Sequence, residues 1–82
     1  MLKISVISPE SVLFEGETDS VIAPAYDGEV GILTGHAPLM ALLGNGELRL
    51  GTGAARKFNV NGGFMQVLND VVRVVTEKAT TV

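Results

Sequence analysis

The chain predicts an all-β domain, a sandwich or a barrel of short strands. Three observations carry this: apolar residues recurring at every second position, Gly-rich turns at close spacing between the runs, and two late runs apolar on both faces. Residues 2–7 open the pattern, with Leu2, Ile4 and Val6 alternating against Lys3, Ser5 and Ile7. Ser8-Pro9-Glu10-Ser11 is a turn cluster. Residues 12–14 and 20–23 read as strands joined by the acidic stretch 15–19, and residues 24–28 read as a loop. Residues 47–50 alternate again with Leu48 and Leu50 on one face, residues 51–55 form a loop, and residues 57–60 turn Phe58 and Val60 inward. Asn61-Gly62-Gly63 and Asn69-Asp70 have hairpin-turn chemistry, because Gly, Asn and Asp tolerate positive φ at little cost. Around the second turn lie strands over 64–68 and 71–76, apolar at several positions on both sides, so part of their outer face is expected to be covered.

Residues 38–43 stay open between strand and helix. Pro at the first position and Gly just past the end suit a short helix, but six residues make under two turns.

At 82 residues the chain is expected to be one domain, close to the size where only about 60% of the unfolded surface is buried. No cysteine is present, so disulfides, thiolate nucleophiles and cysteine metal sites are excluded together. Net charge is −3, and the six basic residues (Lys3, Arg49, Arg56, Lys57, Arg73, Lys78) are scattered rather than striped. Nucleic acid and anionic lipid surfaces are therefore not expected partners. No signal or transit peptide is visible, and the longest apolar run, 37–43, is too short to span a bilayer. A soluble, cytoplasmic protein is expected.

The strand rhythm breaks over residues 27–39, where three glycines, one proline, two acids and the only histidine gather. His36 is the one side chain suited to acid–base work near neutral pH. No serine stands in a Gly-x-Ser-x-Gly context, and one histidine with scattered carboxylates makes a poor metal site. A structural or contact role for His36 is the better reading. Glu15 and Glu17 share one side of a strand and read as a solvated edge. Asp27 and Glu29 flank Gly28 but supply too few oxygens for a calcium loop. The Gly-x-Gly pairs at 44–46 and 51–53 lack the further residues of a nucleotide-binding loop. Gly28, Gly31 and Gly35 instead suggest special backbone geometry in a shaped contact surface.

The run Gly28-Glu29-Val30-Gly31-Ile32-Leu33-Thr34-Gly35-His36-Ala37-Pro38-Leu39 closely resembles the signature of the ε subunits of F-type ATP synthases, called δ in mitochondria. Asn61-Gly62-Gly63-Phe64-Met65-Gln66-Val67 is similar to that family's second recurring stretch, and residues 4–14 also fit, so the resemblance spans the chain. It implies a flattened β-sandwich of about ten short, mostly antiparallel strands, with residues 38–43 as strand. It implies a non-catalytic rotor subunit joining γ to the c ring, with no cofactor or metal and with membrane association only through the complex, at the cytoplasmic face of a bacterial inner membrane. By position, Tyr26, Asp27, Gly28, Glu29 and Val30 would face the c ring, and Ser8, His36, Leu39, Met40 and Ala41 would face γ. The family's C-terminal helical hairpin would begin near residues 76–82, so autoinhibition by that hairpin is not expected. Two rival readings remain: a biotinyl or lipoyl carrier, for which Lys57 and Lys78 are poorly placed, and a small hydrolase using His36.

Overall fold

Alternation along each strand sorts its side chains to two faces, and here one face of every sheet is apolar enough to seek another. The computed structural model describes residues 1–51 and 56–81. In chain order the strands are β1 (Leu2–Ile7), β2 (Val12–Thr18), β3 (Ser20–Ala25), β4 (Gly28–Leu33), β5 (Leu39–Leu42), β6 (Asn45–Leu50), β7 (Arg56–Asn61), β8 (Phe64–Leu68), β9 (Val71–Val75) and β10 (Ala79–Thr81). They form two five-stranded sheets: sheet I in the order β2-β1-β9-β8-β5, and sheet II in the order β10-β7-β6-β3-β4. Both sheets have open edges, which makes the domain a sandwich and not a barrel. Every pairing is antiparallel except β1 with β9, which run parallel.

The inner faces meet in one core. Sheet I contributes Leu2, Ile4, Val6, Met65, Val67, Val72 and Val74, and sheet II contributes Val21, Ala23, Ile32, Leu48, Leu50, Phe58 and Val60. Phe14 closes the β2 side, its ring centroid 5.7 Å from that of Phe58 and with the Arg56 guanidinium 4.8 Å above its face. A Cβ on Gly16 would lie 2.9 Å from the end of the Phe14 ring, so a side chain there would require that ring to shift.

Several elements differ from their sequence-based expectation. The loop expected over 24–28 is a tight hairpin: β3 runs through Pro24 to Ala25, Tyr26 and Asp27 form the turn, and β4 starts at Gly28. Pro24 is tolerated because the β3–β6 pairing covers only Val21 and Ile22, so no neighbour needs the missing N–H. The glycines at 28 and 31 hid β4, yet Val30 and Ile32 alternate inward as in any half-buried strand. The acidic stretch 15–19 is largely strand, with Glu15 and Glu17 exposed on the edge strand β2. Asn61-Gly62-Gly63 is not a hairpin turn. It carries the chain from β7 in sheet II to β8 in sheet I, with φ of 73° at Gly62 and 107° at Gly63. A Cβ on Gly63 would stand 2.0 Å from the Val75 carbonyl oxygen, so glycine is required. Asn69-Asp70 is the hairpin expected, with φ of 50° and 61° as a type I′ turn demands. Residues 38–43 are strand, as the resemblance implied, over Leu39–Leu42. Ala79–Thr81, placed at the expected start of a helical hairpin, instead pairs with β7 as β10. The loop expected over 51–55 lies, beyond Gly51, outside the described residues.

Candidate interaction surfaces

The β3–β4 hairpin projects the first expected set. Tyr26 at its tip is 81% exposed, Asp27 is also exposed, and Gly28 adopts φ of 137° with open space where a Cβ would go. Glu29 is not a free charge: Arg49 Nη2 donates to its Oε2 at 2.5 Å, and Arg49 Nε lies 4.0 Å from Glu47. Val30 faces inward and packs against the core. The hairpin is bonded to sheet I at its root. Tyr26 N–H donates to the Leu42 carbonyl at 2.8 Å, Gly44 N–H donates to the Pro24 carbonyl at 2.8 Å, and Ala25 bridges Leu43.

The second set is spread along sheet I. At one end Ser8 closes the β1–β2 turn, its N–H donating to the Ser11 carbonyl at 2.9 Å and its Oγ accepting from Ser11 N–H at 3.2 Å. At the other end Leu33 to His36 form a type II turn, with His36 N–H donating to the Leu33 carbonyl at 3.1 Å and Gly35 at φ of 85°. His36 Nδ1 lies 2.7 Å from the Ala37 carbonyl oxygen; since that oxygen only accepts, Nδ1 carries the hydrogen. Asp70 anchors this loop by accepting from Gly35 N–H at 2.7 Å. Between the ends lies β5, where strand alternation sends Leu39 and Ala41 inward and Met40 and Leu42 outward, the latter pair 62% and 68% exposed.

Met40 and Leu42 are the rim of a wider surface. Cross-strand register places Leu42, Phe64, Val75 and Ile7 in one row across the outer face of sheet I, and Met40, Gln66, Arg73 and Ser5 in the next. Leu68 and Val71 pair in a third row, which continues to Lys3. Sheet II differs on its outer face, where Glu29, Glu47, Arg49, Lys57 and Asn59 predominate. The sequence did signal the apolar face, because 64–68 and 71–75 do not alternate strictly. Position along the signature run alone did not reach Leu42, Phe64, Leu68, Val71 or Arg73. Among the described residues no group of three or more His, Cys, Asp or Glu side chains is placed to hold a metal ion.

Residues 1–82 match the family model of the β-sandwich domain of the ATP synthase delta/epsilon chain. The chain belongs to this family. The ATP synthase epsilon chain of Leptospira interrogans is 46% identical over 77 residues, covering 93% of this chain and 61% of that protein. The epsilon chain of Chlorobium limicola is 39% identical over 77 residues, covering 92% of this chain and 88% of its own length. The chain thus spans about three fifths of the Leptospira relative's length. In fold it resembles a chain of the Euglena gracilis mitochondrial ATP synthase (OSCP/F1/c-ring, rotational state 1), with a TM-score of 0.87 at 21% identity, covering 98% of this chain and 52% of that one. In this chain the sandwich domain has two unlike outer faces and a β3–β4 hairpin bonded at its root to β5 of the other sheet.

Proposed function

We propose that the domain is a non-catalytic rotor element of an F-type ATP synthase, fixing the γ subunit to the c ring. The observation that carries this is the match of the whole chain, residues 1–82, to the delta/epsilon sandwich domain. The geometry supplies a body suited to the task. The outer face of sheet I, centred on Met40, Leu42 and Phe64 with Ser8 and His36 at its two ends, docks on γ. The tip of the β3–β4 hairpin, Tyr26 to Glu29, faces the polar loops of the c ring. Fully burying one Met or Leu side chain contributes about 1.5–3 kcal/mol, so the exposed apolar side chains of this face supply favourable terms that offset part of the cost of association. Catalytic sites lie on other subunits, ion flow turns the ring, and this domain transmits rotation as a rigid piece. It works at the cytoplasmic face of a bacterial inner membrane, held there by its partners.

The carrier reading lacks a suitable lysine: Lys57 is the second residue of β7 and Lys78 immediately precedes β10, neither at a hairpin tip. His36 points its Nδ1 at a neighbouring carbonyl instead of at a serine or carboxylate, which favours contact over hydrolysis. Co-purification from membranes under conditions that keep the synthase intact is the test. Recovery of γ and c subunits with the tagged chain is expected, and their absence rejects the role. Within the hairpin, Asp27→Lys is expected to weaken attachment to the c ring more than Glu29→Gln, because Arg49 already neutralises Glu29. Equal effects of the two substitutions would remove the hairpin tip from that interface.

A further inference from the structure

Arg73 sits between the apolar rows of sheet I's outer face, where the other basic residue, Lys3, ends the row of Leu68 and Val71; among the described residues Arg73 has no partner. It stands in β9 directly across from Gln66 of β8, with Ser5 of β1 on its other side. No described residue bonds or ion-pairs with it: Arg49 is the only arginine in a described salt bridge, and Arg56 is the one over a ring. Glu15, the nearest acid in its row, lies two strands away beyond Ser5 on the edge strand β2. A depression of about 300 Å³ lies beside Arg73, lined by Gln66, Leu68, Asn69, Val71 and Arg73. Its composition is specific. Leu68 and Val71 offer an apolar wall to a methylene stem, while Arg73, Gln66 and Asn69 offer hydrogen-bond donors to its end.

An arginine inside a surface that becomes dry on docking needs a counter-charge, because an unpaired guanidinium loses its hydration without return. Arginine also matches a carboxylate with two parallel N–H donors, which a lysine does not. We infer that this depression receives a glutamate or aspartate side chain of the γ surface, with Arg73 pairing the carboxylate and Gln66 donating to it, and that this contact sets the register of docking. The inference rests on the γ-docking role proposed above for this face. It adds what that role leaves open, namely the chemistry of the partner residue.

The experiment is affinity measurement between the full chain and the γ subunit of the same synthase, over a range of salt concentrations. For Arg73→Glu we expect a loss of tenfold or more, roughly the size seen when a close interfacial charge pair is reversed. For Arg73→Leu the salt dependence of wild type should flatten, and an acid-to-lysine substitution on γ should restore binding to Arg73→Glu. Unchanged salt dependence in Arg73→Leu, or no restoring substitution among the γ acids, overturns the inference. The double variant Met40→Asp, Leu42→Asp separates the two levels. If it abolishes binding while Arg73→Glu does not, the face is correct and the carboxylate contact is wrong. If it leaves γ binding unchanged, the docking face itself is wrong.

Discussion

At the scale of single residues, the positions that tolerate least are those where backbone meets backbone. Gly63 combines φ of 107° with a Val75 carbonyl where a side chain would stand, so Gly63→Ala should cost at least about 3 kcal/mol or prevent folding. Urea denaturation measures this, and a loss below about 1 kcal/mol would show that the crossing between sheets yields more than its geometry suggests. Asp70 does two things: it adopts φ of 61° in its turn, and its carboxylate accepts the Gly35 N–H. Asp70→Asn keeps the turn and an acceptor, whereas Asp70→Ala is expected to cost about 1–2 kcal/mol and to speed hydrogen exchange at Gly35. The turn at Asn69-Asp70 was legible in the sequence because both residue types favour positive φ locally. The Asp70–Gly35 bond was not, since nothing local relates positions thirty-five residues apart.

At the scale of elements, strand existence was legible wherever alternation was clean and obscured wherever glycine replaced a patterned residue. β1, β7 and β8 follow from their apolar spacing. β4 did not, because Gly28 and Gly31 removed half of the pattern that Val30 and Ile32 complete. The crossing at 61–63 carries hairpin residues yet joins two sheets, and turn chemistry alone does not say which strand comes next to which. For β5 the two outward side chains make the sharpest prediction. Met40→Asp with Leu42→Asp should leave thermal unfolding within about 0.5 kcal/mol of wild type, since both are exposed, and should abolish capture of γ. Loss of the fold instead would mean that β5 is held by these side chains and not by its pairing with β8. The candidate site was half legible for the same reason: the signature run located β5, but only register across β8 and β9 reveals the surface that continues from it.

At the scale of the whole molecule, closure depends on pairing the two ends of the chain. β1 lies parallel to β9, and Thr76 N–H donates to the Ile7 carbonyl at 2.9 Å, so the first strand is completed by one of the last. A variant ending after Leu68 leaves one side of β1 open and β8 without β9, and is expected to remain unfolded by circular dichroism and to be digested rapidly by proteases. Refolding of the full chain should be slow for its size, in the range of milliseconds to seconds that dominant non-local pairing imposes. Stopped-flow folding within microseconds would contradict that topology-based expectation.

The bonds from Tyr26 to Leu42 and from Gly44 to Pro24 have a mechanical consequence. Two sheets packed only through side chains can slip past each other before resistance builds, as loosely meshed gears turn a little before they engage. Backbone hydrogen bonds at the root of the hairpin remove that play, because displacing the tip must stretch them at once. A force applied at the hairpin tip would then reach β5 of the opposite sheet through backbone hydrogen bonds as well as through the side chains of the core.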